Sequence, residues 1–225
     1  MSITHKTAVI TGISSGIGLA LTKKLLTEGY RVIGTTRTGS INGLKHEQLQ
    51  LVSLDITDDD SLKTAANNII KLASSDIDLL INNAGIAPDV FAVKPEPVSF
   101  TQTIATNLTG TVFFTEALIE HLNSNAQVIF ISSNMALPRN AAANGPGYRL
   151  SKAAINMYAA MLAERLKTSG IRVTPMHPGW VKTKLGGNSA PFTTEQSADA
   201  LYRGISTNTQ TGKFWNADTH SIEEY

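Results

Sequence analysis

Thr7-Ala8-Val9-Ile10-Thr11-Gly12-Ile13-Ser14-Ser15-Gly16-Ile17-Gly18-Leu19-Ala20-Leu21 passes from a β-branched apolar run, through three glycines, straight into helical periodicity. Residues 7–11 read as a buried strand and residues 16–28 as a helix. Glycine at 12, 16 and 18 lets the backbone turn sharply between the two, so that the unpaired amides of the helix N-terminus face an anion. The spacing is Gly-x-x-x-Gly-x-Gly, not the Gly-x-Gly-x-x-Gly of the common dinucleotide fingerprint, and such glycines also make plain tight turns. Their place between strand and helix favours a pyrophosphate cradle built from Gly12, Ser14, Ser15, Gly16, Ile17 and Gly18.

Working outward, short β-branched runs alternate with longer helical patterns, the signature of repeated βαβ units. Strands are expected at residues 7–11, 31–35, 50–54, 79–82, 128–132, 172–177 and 213–215, and helices at 16–28, 59–72, 100–122, 148–168 and 194–205. Gly29 and Gly170 follow two of these helices as C-caps. Residues 38–49, with Gly39 and Gly43, leave room for only an abbreviated helix, and 86–97 and 136–147 are loops. The expectation is an α/β Rossmann-type fold, a doubly wound seven-stranded parallel sheet with helices on both faces, in a single domain over residues 1–225.

Composition narrows the function. A formal charge of +1 with 16% charged residues, spread without runs, gives no electrostatic footprint for nucleic acid or an anionic membrane. Cysteine is absent, which removes disulfides, thiolate nucleophiles and cysteine-held metals and fits a cytoplasmic setting. The first residues lack the pattern of a signal peptide, and no apolar run approaches the roughly 20 residues that span a bilayer. The histidines at 5, 46, 121, 177 and 220 are scattered, without the pairing of a metal site.

After the second strand, an acidic residue about 20 positions past the cradle would accept bonds from the 2′-hydroxyl of NAD. Arg37 stands there instead, and a guanidinium matches a 2′-phosphate, so NADP(H) is the expected cofactor; the alternative is a solvated surface arginine. Asp55 and Ile56, closing the third strand, are placed at the adenine edge, or Asp55 is an ordinary helix N-cap. Tyr148 and Lys152 lie four residues apart, on one helix face, where an ammonium assists ionisation of a phenol whose reference pKa of about 10 makes it a poor acid–base group at neutral pH. Ser132 and Ser133 end a strong strand and bring a hydroxyl to the carboxyl edge of the sheet, where ligands bind. Asn107 sits inside the long helical pattern, away from any terminus, and by composition alone reads as a polar surface residue.

In this order Thr11-Gly12-x-x-x-Gly16-x-Gly18, Asn82-Asn83-Ala84-Gly85, Asn107, Ser133, Tyr148-x-x-x-Lys152 and Pro178-Gly179 resemble the short-chain dehydrogenase/reductase family over nearly the whole chain. Tyr148-Arg149-x-Ser151-Lys152, His177-Pro178-Gly179-Trp180-Val181-Lys182-Thr183 and Gly186-Gly187 are similar to its small carbonyl reductase-like branch, which includes the C-factor and sniffer proteins. The resemblance implies Tyr148 as general acid/base, Ser133 polarising the substrate oxygen, Lys152 lowering the tyrosine pKa and holding the nicotinamide ribose, and Asn107 supporting a proton relay. It places Asn83, Ala84 and Gly85 along the adenosine side, and Pro178, Gly179, Val181 and Thr183 at the nicotinamide.

Two departures stand out. Ser133 precedes Tyr148 by 15 residues where many members have 13, which leaves Ser132 or Ser133 as the partner, and Ser15 occupies a position often basic in NADP-preferring members. The segment 184–193 is short for a substrate lid, and Gly186 and Gly187 are expected to make it mobile. An open pocket edged by Ile86, Asn134, Met135 and Trp180 suits apolar aldehydes or ketones, although Trp180 also reads as packing. The expected activity is NADP(H)-dependent reduction of a small-molecule carbonyl. The alternatives are the same chemistry run as an alcohol dehydrogenase, and a nucleotide-binding sensor with little turnover. Family resemblance further implies a homodimer or homotetramer through helices 100–122 and 148–168.

Overall fold

The computed structural model describes residues 5–74 and 77–225. Strands β1 (Thr7–Ile10), β2 (Arg31–Thr36), β3 (Leu49–Ser53), β4 (Ile77–Asn82), β5 (Leu122–Ile131), β6 (Arg172–His177) and β7 (Phe214–Asn216) are parallel, as expected, and an eighth, β8 (Ser221–Glu223), is antiparallel to β7 at the edge. The order β3-β2-β1-β4-β5-β6-β7-β8 reverses direction between β1 and β4, which opens a crevice at their carboxyl ends. β8 departs from the seven-strand expectation because Ser221-Ile222-Glu223 is short and mostly polar. It is held by side chains instead: Asn216 Nδ2 donates to Glu223 Oε1 at 2.7 Å, and Arg139 Nη2 to Glu223 Oε2 at 2.5 Å.

Helices α1 (Gly16–Thr27) and α6 (Thr194–Thr207) cover one face of the sheet, burying Leu21, Leu25, Leu201 and Ile205 against Val32, Leu79 and Ile129. On the other face α2 (Asp59–Ala73), α4 (Thr111–Leu118) and α5 (Pro146–Arg165) bury Ile69, Phe114, Leu118, Ile155 and Leu162 against Val9, Leu80 and Val128. Because both faces are covered, the central strands are buried throughout and read as continuous apolar runs.

Two stretches differ from expectation. Residues 38–49 hold no helix, only turns: Gly39 and Gly43 take φ of +66° and +76°, and Thr36 Oγ1 fastens both the amide and the carbonyl of Ser40. The helix expected at 100–122 starts earlier, as α3 (Pro97–Ile104), because the Glu96 carboxylate caps the amides of Val98 and Ser99 and Pro97 fits the first turn. It then widens into a π turn over Ala105–Gly110 before α4. At Gly110 a Cβ would come under 3.0 Å from the Ile56 carbonyl oxygen, so glycine brings this helix against the end of β3. Leu122 belongs to β5, not to the helix.

Candidate active site

The β1–α1 turn is tied to the end of β4 before any ligand is considered. Thr11 Oγ1 accepts from the amides of Asn83 and Ala84, both at 3.0 Å, and Asn83 Nδ2 donates to the carbonyls of Thr11 at 2.8 Å and Gly12 at 3.1 Å. Gly12 and Gly16 hold φ of +72° and +61°, left-handed backbone that L side chains rarely adopt. At Gly18 a Cβ would come under 3.0 Å from both Asn83 Nδ2 and the Gly12 carbonyl oxygen. The first amides of α1 therefore face an open cradle, and its N-cap Ser15 makes no side-chain capping bond to them. Such a cradle fits a pyrophosphate in backbone shape and in the polarity of the helix terminus.

From this cradle a cleft of about 1570 Å³ runs along the carboxyl edge of the sheet. Every site residue expected from the sequence lines it except Asn107: the cradle, Arg37, Asp55, Ile56, Asn83, Ala84, Gly85, Ser133, Tyr148, Lys152, Pro178, Gly179, Val181 and Thr183. Arg37 is exposed at the end of β2, with its carbonyl anchored by Ser53 Oγ at 2.9 Å. Asp55 is not the cap of α2; Asp58 is, accepting from Ser61 N at 2.7 Å. The Asp55 carboxylate takes the hydroxyl and amide of Thr57 at 2.7 and 3.0 Å, and those bonds, with the nearby Arg37 charge, hold its pKa below the ordinary range.

The reacting end lies where α5 crosses the edge of β5. Tyr148 is buried at 7% exposure, and burial raises its phenol above the usual value, while a hydrogen bond with Ser133 draws it partly back. That net direction differs from the expected lowering by Lys152. The Lys152 ammonium lies 5.8 Å from the Tyr148 ring centroid and donates to the Ile131 carbonyl at 2.7 Å, and its own pKa falls to about 8 through burial. The two serines separate cleanly. Ser132 Oγ donates to Asn156 Oδ1 at 2.6 Å in the buried layer, whereas Ser133 is the one bonded to the phenol. The connection from Ser133 to Tyr148 is coiled into short 3-10 turns at Asn134–Ala136 and Pro138–Asn140.

Asn107 is no surface residue. It occupies the π turn, 1% exposed, with Oδ1 accepting from Ile86 N and Nδ2 donating to Ile86 O, both at 2.8 Å, and to Ser151 Oγ at 3.2 Å. A Cβ on Gly85 would lie 3.3 Å from Asn107 Oδ1 and 3.5 Å from Lys152 Nζ, so the glycine lets these two polar groups approach.

The loop after β6 is tied down at several points. Ser197 Oγ donates to Pro178 O at 2.7 Å, Val181 bridges Phe192, and Gly187 N donates to Thr183 O at 2.9 Å. A Cβ on Gly186 would come under 3.0 Å from the Val181 carbonyl oxygen, so glycine permits this close approach. Trp180 is 54% exposed on the cleft, with its indole N–H fixed to Gly186 O at 2.7 Å, so it does not serve as core packing. His177, given no role of its own in the sequence, is buried and lines the cleft, with Nε2 3.4 Å from Asp218 Oδ2.

Comparison with known proteins agrees with this architecture. The family model for short chain dehydrogenase matches residues 6–193, and the chain belongs to the short-chain dehydrogenase/reductase family of oxidoreductases. It is 31% identical over 209 residues to a serine 3-dehydrogenase of Rhizobium radiobacter, covering 88% of this chain and 81% of that protein. Among solved structures, the putative carbonyl reductase Sniffer of Caenorhabditis elegans superposes with a TM-score of 0.83 at 28% identity, over 99% of this chain and 100% of that one. NADPH-bound carbonyl reductase from chicken fatty liver gives 0.89 at 26% identity, over 100% and 96%. Among the described residues no helix is long and apolar enough to cross a membrane.

Proposed function

We propose that this protein is an NADP(H)-dependent carbonyl reductase in which Tyr148 is the general acid. The carrying observation is the buried Tyr148 phenol, hydrogen-bonded to Ser133 beside Lys152, at one end of a cleft whose other end is the glycine cradle. In this reading Gly12, Ser14, Ser15, Gly16, Ile17 and Gly18 hold the pyrophosphate, Arg37 the 2′-phosphate, and Asp55, Ile56, Asn83, Ala84 and Gly85 the adenosine side. Pro178, Gly179, Val181 and Thr183 hold the nicotinamide. The nicotinamide supplies the hydride when bound.

The chain's own residues handle the oxygen. Ser133 and Tyr148 receive the substrate carbonyl oxygen between their hydroxyls and stabilise the negative charge that develops there. Tyr148 then gives its proton to the alkoxide, and Lys152 binds the ribose and helps return a proton to the phenol, with Asn107 fixing the loop at Ile86. With its pKa held above the ordinary value by burial, the phenol is protonated at neutral pH, the form that can donate to an alkoxide. Exposed Trp180, Leu185 and Ile86 near Met135 give the substrate end an apolar rim suited to apolar aldehydes and ketones.

The preference for NADP(H) rests on Arg37, and the NADPH in the chicken carbonyl reductase agrees with it. Arg37→Ala is expected to weaken NADPH binding about ten- to a hundredfold, the loss of a charge-assisted bond of roughly 1.5–3 kcal/mol, while NADH binding changes little. Fluorescence titration with both cofactors checks this, and equal losses would contradict the 2′-phosphate role.

We also propose a homo-oligomer through α4 and α5. Leu150, Met157 and Met161 are spaced by whole turns along one side of α5, and with Phe113 on α4 all four are more than half exposed. A second copy of the chain, presenting the same apolar face, is the expected occupant. Light scattering after size-exclusion chromatography is expected to give a dimer or tetramer; a monomer at micromolar concentration would remove the proposal.

A further inference from the structure

The first turn of α5, which carries Tyr148, is gripped from both sides by charged side chains outside the catalytic set. Asp89, in the loop after β4, is 2% exposed, and its Oδ2 accepts from the amides of Gly147 at 2.5 Å and Tyr148 at 3.3 Å. The N-cap residue of α5 is Gly145, which has no side chain to offer, so this carboxylate from 58 residues away fills the capping role. At Gly147 a Cβ would stand 2.9 Å from Asp89 Oδ2, so the approach requires glycine there.

On the other flank, Arg149 gathers the connection that joins Ser133 to Tyr148. Its Nε donates to Asn144 O at 2.7 Å, Nη1 to Met135 O at 3.1 Å and Asn140 O at 2.9 Å, and Nη2 to Asn144 Oδ1 at 3.2 Å. None of these partners is a carboxylate, so the guanidinium is used for its fork geometry, which a lysine ammonium cannot copy. Met135 closes the circuit, because its own amide donates to Ser133 Oγ at 3.1 Å. A short path therefore runs from Ser133 through Met135 to Arg149, the residue next to Tyr148. The two flanks are also joined to each other: Asn144 Nδ2 donates to Val90 O at 2.8 Å and Gly145 N to Ala92 O at 2.9 Å.

We propose that Asp89 and Arg149 are positioning residues of the reductase site, a brace that sets the Tyr148 hydroxyl against Ser133 across the connection that joins them. Residues 134–147 form a long connection with many ways to lie, and without cross-links Ser133 would be poorly fixed relative to the helix. The brace rests on the reading of Tyr148 as the acid, and it acts through Tyr148 and Ser133 without touching substrate.

The test measures kcat and, separately, NADPH affinity in Arg149→Ala, Arg149→Lys, Asp89→Ala and Asp89→Asn. Misplacing a catalytic group by about 1 Å costs on the order of a hundredfold in rate, so Arg149→Ala and Asp89→Ala are expected to lose about ten- to a hundredfold in kcat with NADPH affinity nearly unchanged. Asp89→Asn, whose amide oxygen still accepts from both backbone amides, recovers most of that loss, whereas Arg149→Lys recovers little. Unchanged kcat in both alanine variants overturns the proposal, as does a parallel fall in kcat and NADPH affinity with Asp89→Asn no better than Asp89→Ala. If an alanine variant does not fold, Arg149→Lys at full kcat overturns the guanidinium role. A crystal structure of Arg149→Lys gives a readout free of turnover. Ser133 Oγ displaced from the Tyr148 hydroxyl is expected, and an unmoved pair overturns the brace even if wild-type protein reduces none of the carbonyls tried, an outcome that would count against the reductase reading alone.

Discussion

Tyr148→Phe is expected to keep NADPH bound while reducing carbonyl turnover about a hundred- to ten-thousandfold, the range a positioned acid contributes. The substitution removes one oxygen and leaves the ring, so the packing of α5 against β5 persists. Binding is expected to survive because the cradle, Arg37 and the 178–183 loop do not use the phenol. Turnover is expected to fall because Ser133 alone can hold the substrate oxygen but has no proton of suitable acidity to give. The residual rate reports what orientation by the cleft and Ser133 achieves without an acid. Stopped-flow and steady-state rates with saturating NADPH check it. Retained kcat would remove Tyr148 from the chemistry, and lost NADPH binding would move its role to the cofactor.

Gly18→Ala is expected to weaken binding of NADPH and NADH alike, in contrast to the selective effect at Arg37. The added methyl would come under 3.0 Å from Asn83 Nδ2 and the Gly12 carbonyl oxygen, which are bonded to each other at 3.1 Å. Neither is the loose end of a flexible chain. Gly12 is fixed by its amide to Thr35 O at 3.0 Å, and Asn83 Nδ2 is also bonded to Thr11 O at 2.8 Å. Overpacking of this kind costs about 1–3 kcal/mol, and here it falls on the turn that shapes the phosphate site. Relief requires the turn to open, so both cofactors are expected to bind at least about tenfold more weakly, with a modest drop in Tm. Unchanged titrations would show that the cradle tolerates a side chain and does not depend on this close contact.

Most of the fold was legible because the central parallel strands are covered on both sides, and burial on two faces writes itself as an apolar run. β8 was not, since an edge strand of three residues with one apolar side chain, Ile222, carries no such run and is held by Asn216 and Arg139 from elsewhere in the chain. The π turn was equally silent: Ala105–Gly110 holds weak helix formers in Thr106, Asn107, Thr109 and Gly110, but nothing in their order separates a widened turn from an ordinary one. In the candidate site, residues that sit at strand ends in local motifs could be placed in advance. Asn107 was noticeable as a mid-helix asparagine, yet nothing in the sequence turned it inward; that comes from Ile86 and Ser151. Asp89 stood in no motif, and Arg149 and His177, though inside quoted motifs, showed no role there, because each gains its meaning from partners in other loops.

Hydride transfer itself is tested most directly by mixing the purified protein with NADPH and a panel of apolar aldehydes, ketones and diketones, and following the reduced-nicotinamide absorbance. Consumption of NADPH dependent on the carbonyl, slower with NADH and absent in Tyr148→Phe, is the expected result. Tight NADPH binding with no consumption on any member of the panel would contradict a carbonyl reductase and put a nucleotide-binding sensor in its place.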